Sequence, residues 1–217
     1  MSTRCRSIVG LLAVAAVGAL AACGVGVDDS PRALEVEAST TTVAATPSVG
    51  QVSSVLYYVR EGTLMPLERN LSSNSAETSV EALGQPPPVL TRYGLSSSIP
   101  SGTELIGTAR DGGRLVVNLS SAFDNVVGRQ RQQAIGQMVM TVTEQRGVDS
   151  VEFQVEGQPI TVSSPARGDQ NDVGACDYQS LLASPEEVAQ ARLPVESLQA
   201  TFERRDQLAE ECEDLTE

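Results

Sequence analysis

"GLSSSIPSGTELIGTARDGGRLVVNLSSAF", residues 94–123, is the most informative stretch of the chain. It begins with a loop rich in Ser, Pro and Gly, and residues 100–102 favour a turn into a strand. Two apolar runs then flank Asp111 and Gly112, a pair typical of tight hairpin turns. The stretch therefore predicts a β-hairpin over residues 103–119.

Short elements precede this hairpin. The run VLYYV at 55–59 is β-branched and aromatic, and it predicts a strand that turns at 61–62 into a second strand. Pro66 in that second strand favours the edge of a sheet, because proline cannot donate a ladder hydrogen bond. Residues 75–83 open on a serine cap and stop at a glycine, so they predict a short helix. Residues 84–102 are rich in Pro, Gly and Ser and predict a long surface loop.

A longer helix and a strand follow the hairpin. Residues 131–144 carry one apolar stripe at helical spacing, formed by Ala134, Ile135, Met138, Val139 and Val142. Residues 151–157 alternate between apolar and polar side chains, which predicts a half-buried strand that turns at Gly157 into residues 160–162. Strands and helices in this order predict a compact α+β unit.

The C-terminal part, residues 165–217, is predicted to be a loop followed by helices. "SPEE" at 184–187 is a capping box with proline at the first helical position. Pro194 ends that helix and begins another. The apolar residues of the last helix predict the face that packs on the domain: Val195, Leu198, Phe202, Ala209 and Cys212.

The N-terminal segment predicts export. Arg4 and Arg6 precede an apolar run at 8–20, which is shorter than the about 20 residues of a transmembrane helix. The run ends in "LAAC", which resembles the bacterial lipobox and implies that residues 1–22 are a signal peptide and that Cys23 receives a diacylglyceryl group. Residues 23–51 would then be a lipidated, flexible tether with a reach of about 30 Å. The alternative is an ordinary signal peptide with Cys23 incidental.

Two cysteines remain for the folded part. Cys176 and Cys212 form an even pair in an exported chain, so we expect a disulfide between them. The alternative is two buried free thiols. No C-x-x-C pattern of a redox or zinc site is present.

Composition excludes several kinds of chemistry. The sequence has no His and no Lys, and all 15 basic residues are Arg. A Ser-His-Asp triad, a His-ligated metal, a P-loop lysine and a Schiff base are therefore excluded. Loss of Arg4 and Arg6 with the signal changes the formal charge from −13 to −15, which disfavours nucleic acid and anionic lipid as partners. No cofactor and no metal are predicted.

Residues 52–164 resemble a known family. The segments that carry the resemblance are "VLYYVREGTLMPLERNL", "SVEALGQPP", "GLSSSIPSGTEL", "RLVVNLSSAF" and "QQAIGQMVMTVTEQRGVDSVEFQVEGQPI". They are similar to the GerMN domain of sporulation and spore germination proteins, present here as one copy. The resemblance implies a small sheet with two helices on one face, similar to the ring-building motif, followed by a C-terminal helical extension. The resemblance implies a single-copy lipoprotein of the type that is familiar from actinobacteria, which fits the all-Arg composition expected of a GC-rich genome.

The resemblance implies a non-catalytic role. We expect a protein that is lipid-anchored on the extracytoplasmic face of the cell membrane and binds envelope proteins or its own copies, through an exposed sheet edge near Pro66 or through the Pro-rich loop. The alternative is a module that binds peptidoglycan fragments or another small ligand. For that role, the aromatic rings available to stack on sugars are Tyr57, Tyr58 and Tyr93. An enzyme would need a pair of carboxylates, and no recognisable pair occurs among Asp111, Asp124, Glu144, Asp149 and Glu152.

Overall fold

The computed structural model describes residues 50–213. Its strands are β1 (Val52–Arg60), β2 (Thr63–Leu71), β3 (Leu105–Asp111), β4 (Arg114–Leu119), β5 (Ser150–Val155), β6 (Gln158–Pro159), β7 (Val162–Ser164), β8 (Gly168–Gln170) and β9 (Asp172–Val173). Its α-helices are α1 (Ala76–Gly84), α2 (Gly128–Val142), α3 (Pro185–Gln190) and α4 (Val195–Glu211). Short 3₁₀ helices cover Pro88–Tyr93, Ser121–Asn125 and Ala175–Leu181. The fold is a mixed α+β arrangement of small sheets and several helices, as expected from the sequence.

The strands β1 and β2 form a two-stranded antiparallel hairpin that is buried at its centre. Residues 56–59 of β1 and 64–67 of β2 are buried without alternation, because α2 packs against β1 while α4 packs against β2. Outside the hairpin, the carbonyl oxygen of Leu64 accepts a hydrogen bond from the Ala183 amide. The hairpin therefore lies inside the molecule, with helices on both of its strands.

The prediction of an exposed edge at Pro66 is wrong. Pro66 is buried and lies opposite Tyr57 in the hairpin register. The Tyr57 N–H donates to Thr141 Oγ1 at 3.1 Å, and the Tyr57 carbonyl accepts from Gln137 Nε2 at 2.9 Å. Both backbone groups of Tyr57 therefore point away from β2, so the pair exchanges no backbone hydrogen bond and a proline fits.

The second sheet has the order β3-β4-β5-β6, and β9 also pairs with β5. The predicted β3–β4 hairpin is present, and because Asp111 pairs with Arg114 its two turn residues are Gly112 and Gly113, one position later than the predicted pair Asp111 and Gly112. The strands β4 and β5 are parallel, and α2 forms the crossover between them. The inward positions of β4 and β5 alternate as predicted for half-buried strands: Leu115, Val117, Leu119, Val151, Phe153 and Val155 are buried.

The helices α1 and α2 pack on each other and on β1. The helix α1 begins as predicted, because Ser75 accepts a hydrogen bond from the Thr78 amide. The helix α2 begins three residues earlier than the predicted start at Arg131. All five residues of its predicted apolar stripe are buried.

The C-terminal segment contributes to the same hydrophobic core as the N-terminal elements, through residues such as Tyr178, Leu182 and Leu208. However, the predicted packing face of α4 is mostly wrong. Val195 and Phe202 are 72% and 50% exposed, Ala209 is exposed and Leu198 is partly buried, while Cys212 is buried as expected. The inward face of α4 is formed by Ser197, Thr201, Arg204 and Leu208.

Candidate functional site

A polar network that includes the buried residues Tyr57 and Arg204 connects β1, the end of α2 and α4. The Tyr57 hydroxyl donates to Glu144 Oε1 at 2.5 Å. Arg204 donates from Nη2 to Thr143 Oγ1 at 2.7 Å, and its Nε lies 3.4 Å from Glu144 Oε1. Burial, and after it the Glu144 carboxylate, raises the pKa of Tyr57 well above its usual value. The network therefore holds α4 against the end of α2.

Sequence analysis missed Arg204, which is 4% exposed. One signal was available: positions 197, 201, 204 and 208 recur at helical spacing and include Leu208. That stripe was overlooked because three of its four residues are polar.

A second buried group, Asp177, organises the segment after β7. Its two carboxylate oxygens accept from Nε and Nη2 of Arg167, each at 2.6 Å, and Ser164 Oγ and the Gly174 amide also donate to it. Burial alone would raise the pKa of Asp177, but the hydrogen bonds from Arg167, Ser164 and Gly174 outweigh it and lower that pKa. Because every donor comes from the same local segment, the cluster fixes the β7–β8 hairpin to the following 3₁₀ helix.

A disulfide also holds the C-terminal segment in place. Cys176 and Cys212 form a disulfide, with their Cα atoms 5.5 Å apart. Cys176 lies in the 3₁₀ helix at 175–181, and Cys212 directly follows α4. The disulfide therefore ties the end of α4 to the same 3₁₀ helix that holds Asp177.

The tyrosines do not form a platform for sugars. Tyr57 and Tyr58 are fully buried, and the Tyr58 hydroxyl accepts from Arg69 Nη1 at 2.7 Å. Tyr93 is partly buried and packs against the hydrophobic core. Two of the three rings suggested by the sequence are thus inaccessible to a ligand.

Most of the carboxylates considered for catalysis form ion pairs with arginines. Asp111 and Glu152 both pair with Arg114, at 3.1 and 3.7 Å. Asp124 pairs with Arg131 at 3.5 Å, and Glu144 belongs to the Arg204 network. Within residues 50–213 no group of three or more Cys, Asp or Glu side chains could hold a metal ion.

One cavity, about 620 Å³, lies beside the N-terminus of α2. Arg129 and Arg131 line it together with Asp169. Arg131 is already engaged, because it pairs with Asp124 and its guanidinium lies 5.0 Å from the centre of the Phe123 ring. The cavity is therefore lined by both positive and negative side chains, and its charge does not favour an anionic or a cationic ligand.

A smaller cavity, about 290 Å³, lies between the C-terminal end of α1 and the loop that leads into β3. Its lining mixes polar residues with apolar ones such as Met138, and the charged residues among them are Glu81 and Glu104. The hydroxyl of Thr103, which also lines it, is buried and has no hydrogen-bond partner in the described part of the chain. Sequence reasoning missed this site because its residues come from four separate segments.

Large apolar side chains are exposed at a few positions. Val127, Val195, Ile106 and Phe202 are between 50% and 74% exposed. Val195 and Phe202 are seven residues apart on α4, so they lie on one face of that helix. The predicted Pro-rich surface loop contains the 3₁₀ helix Pro88–Tyr93, on which Val89 is 43% exposed.

The family is shown by comparison with known proteins. The model of the family described as "Germane: Sporulation and spore germination" matches residues 54–161. These residues form a GerMN domain. The C-terminal helices α3 and α4 lie outside the match. The comparison with curated protein sequences gave no match.

Solved GerMN structures are similar to this chain. The tandem GerMN domains of the sporulation protein GerM from Bacillus subtilis match at 20% identity and a TM-score of 0.49, covering 58% of this chain and 47% of that chain. The first GerMN domain of the same protein matches at 20% identity and 0.47, covering 57% and 97%. A proposed lipoprotein from Clostridium perfringens matches at 19% identity and 0.40, covering 64% and 97%. The chain thus matches about half the length of the tandem structure.

Cys23 lies outside the described residues, so its lipidation stays a prediction. Across residues 50–213, none of the helices combines the length and the apolar character that a membrane span requires.

Proposed function

We propose that this GerMN-domain protein is anchored by lipid on Cys23 to the extracytoplasmic face of the cell membrane. There it would act as a non-catalytic module for protein–protein interaction or assembly in the envelope. The lipobox-like "LAAC" and the family of residues 54–161 support the location. The observation that carries the interaction role is the exposed apolar face of α4, at Val195 and Phe202.

This face has the composition of a docking surface. Phe202 is half exposed, whereas the other two phenylalanines, Phe123 and Phe153, are fully buried. An aromatic side chain left in water loses the stabilisation that burial would give, and aromatic anchors dominate the binding energy of protein interfaces. Burial of Val195 and Phe202 by a partner would contribute about 2–4 kcal/mol to binding.

The charges around this face indicate the character of the partner. Glu196, Glu203 and Asp206 are exposed on α4, and the chain as a whole is strongly acidic. A second copy would bring the same negative charges to the interface, which disfavours self-association through α4. A partner with basic residues around an apolar patch fits better.

The alternative function is a binding module for peptidoglycan fragments or another small ligand. The buried positions of Tyr57 and Tyr58 speak against sugar stacking. The two cavities are the features that favour a small ligand.

The interaction role can be tested by photo-crosslinking in intact cells. A photoreactive phenylalanine analogue replaces Phe202 in one full-length variant and Val127 in a matched control, because Val127 is 74% exposed but outside α4. We expect the analogue at position 202 to capture a small set of envelope proteins that the analogue at position 127 does not. Identical capture patterns at the two positions would rule out α4 as the docking face. Capture of nothing at either position would favour the small-ligand alternative.

A further inference from the structure

The outward apolar residues of α4 have the spacing of a coiled-coil seam. Val195, Leu198, Phe202 and Ala209 recur at intervals of three, four and seven residues, so they lie within about 60° of one another around the helix. Val195, Phe202 and Ala209 are exposed, and Leu198 is partly buried. The seam is about 21 Å long from its first residue to its last. A second helix is the structure that covers such a line, because its own anchors recur at the same intervals.

The other positions in the line of this seam are turned to the domain. Arg205 falls at the edge of the line, but its Nη1 donates to the Leu182 carbonyl oxygen at 3.2 Å, so its guanidinium is directed at the domain. Cys212 is the next position after the seam and is held in the disulfide with Cys176. Because the disulfide fixes the end of α4, a partner would meet a seam that is already ordered.

The charge beside the seam is negative and lies on one flank. Four exposed acidic residues follow the seam on its outward side: Glu196, Glu203, Asp206 and Glu210. They lie about 20–100° further around the helix than Val195, and none of them forms an ion pair within residues 50–213. The opposite flank of the seam is the face of α4 that packs on the domain. An occupant of the seam therefore meets unpaired carboxylates along one side, and positive charge is their complement.

We propose that this seam binds one amphipathic α-helix of a partner protein, which carries Lys or Arg along the flank that meets the acidic residues. The partner helix lies nearly parallel or antiparallel to α4, with its apolar residues between Val195 and Ala209 and its cations at Glu203 and Asp206. A second copy of α4 would bring the same acidic flank, and the chain as a whole is acidic, so the helix comes from a different protein. The proposal names the partner of the α4 face and so rests on the proposed interaction function.

Photo-crosslinking at three positions along the seam tests whether the occupant is a helix. A photoreactive phenylalanine analogue replaces Val195, Phe202 or Ala209 in separate full-length proteins in intact cells, and the adducted residues of the captured protein are mapped by mass spectrometry. The first and last positions are about 21 Å apart, which corresponds to about 14 residues of a helix but about 6 residues of an extended strand. We expect all three positions to capture the same segment of one protein, with adducts that follow in order over about 14 residues.

A control position on α4 separates the seam from the rest of the helix. Gln207 is exposed but lies about 150° around the helix from the centre of the seam. We expect the analogue at position 207 not to capture the segment that the three seam positions capture. Equal capture at position 207 and at the seam would overturn the proposal.

Charge variants test the basic flank of the partner helix. E203Q/D206N, combined with the analogue at position 202, should lower the crosslinked fraction of the partner about threefold or more. The matched control E77Q/E81Q removes the same charge from exposed positions of α1 and should leave that fraction unchanged. Equal crosslinked fractions in the two variants, or a captured segment without Lys or Arg on one flank, would overturn the proposal.

The spacing of the adducts tells failure of this proposal from failure of the interaction function. Adducts from the three seam positions that fall within about six residues, as on an extended segment, would overturn the docked helix and leave α4 as a docking face. Adducts on different proteins would have the same meaning. Capture of nothing at any of the three positions would overturn the interaction function and, with it, the docked helix.

Discussion

Replacing Cys176 and Cys212 together by alanine should reduce the free energy of unfolding by about 4 kcal/mol. The two cysteines are 36 residues apart in sequence. In the chain-entropy description, a cross-link over a loop of this length removes about 13 cal/mol/K from the unfolded ensemble, which gives about 4 kcal/mol at 25 °C. For a chain of this size the melting temperature should fall by about 8–15 °C.

The loss should be largest at α4, because this helix has little else to hold it. Its inward face carries Ser197, Thr201 and Arg204 beside a single apolar residue, Leu208. Thr201 is buried, but its Oγ1 donates to the Ser197 carbonyl within the same helix and so forms no hydrogen bond to the rest of the fold. Without the disulfide, α4 is retained by Arg204, Leu208 and the partly buried Leu198, together with the hydrogen bond from Arg205 to the Leu182 carbonyl.

The assay is thermal unfolding of the full chain by circular dichroism, with and without dithiothreitol, beside hydrogen exchange. Reductant should lower the melting temperature of the natural sequence and leave that of C176A/C212A unchanged. Amides of α4 should lose more protection than those of β4 and β5. The reasoning is refuted if oxidised protein, reduced protein and the double variant all melt together, or if protection falls equally in α4 and in the β4–β5 pair.

Four further predictions concern the lipid anchor and the ionisable groups of the interior. When cell fractions are analysed by immunoblot, C23A should be found in the soluble fraction and not in the membrane fraction. Persistence of C23A at the membrane would contradict lipidation. R204M removes the hydrogen bond to Thr143 Oγ1 and the ion pair with Glu144, whose side chain is 29% exposed, and should cost about 1–2 kcal/mol in urea unfolding, part of which R204M/E144Q should recover; equal stabilities of R204M and the natural sequence would exclude the network as a source of stability. Because hydrogen bonds lower the pKa of Asp177 in the folded state, its contribution to stability should be lost as pH falls below about 4. D177N should therefore make the free energy of unfolding depend less on pH in this acidic range. Because burial raises the pKa of Tyr57, the folded state keeps its proton longer than the unfolded chain, so stability should fall as pH rises above about 10, and Y57F should reduce that loss.

Local features of the fold followed from the sequence because their causes are local. The hairpin turn after Asp111 requires a positive φ, and Gly112, the first of its two turn residues, has φ of 60°. Ser75 caps α1 through a hydrogen bond to an amide three residues away. The alternation at 151–155 follows from burial on one face of a strand. Each of these causes acts within a few residues, so a single sequence reveals it.

The inward face of α4 could not be inferred in the same way. The outward stripe contains Val195 and Phe202, and hydrophobicity alone assigns that stripe to the core. The inward stripe is selected instead by the contacts of Arg204 with Thr143 and Glu144, which are about 60 residues away in sequence. A polar side chain is stable in the interior when its partner is present, and the sequence of α4 contains no information on that partner.

The error at Pro66 has a similar origin and a consequence for function. Proline favours an edge, and Pro66 does occupy a position where no ladder bond is needed. What covers β2 is α4, which lies outside the GerMN match at 54–161. The same helix that hides the hairpin presents Val195 and Phe202 to solvent. The proposed docking surface therefore belongs to the C-terminal segment of this chain, outside the GerMN match, so under this proposal partner choice can differ between proteins that share a GerMN core. The cavity beside α1, in contrast, is built within residues 80–138 and belongs to the core itself.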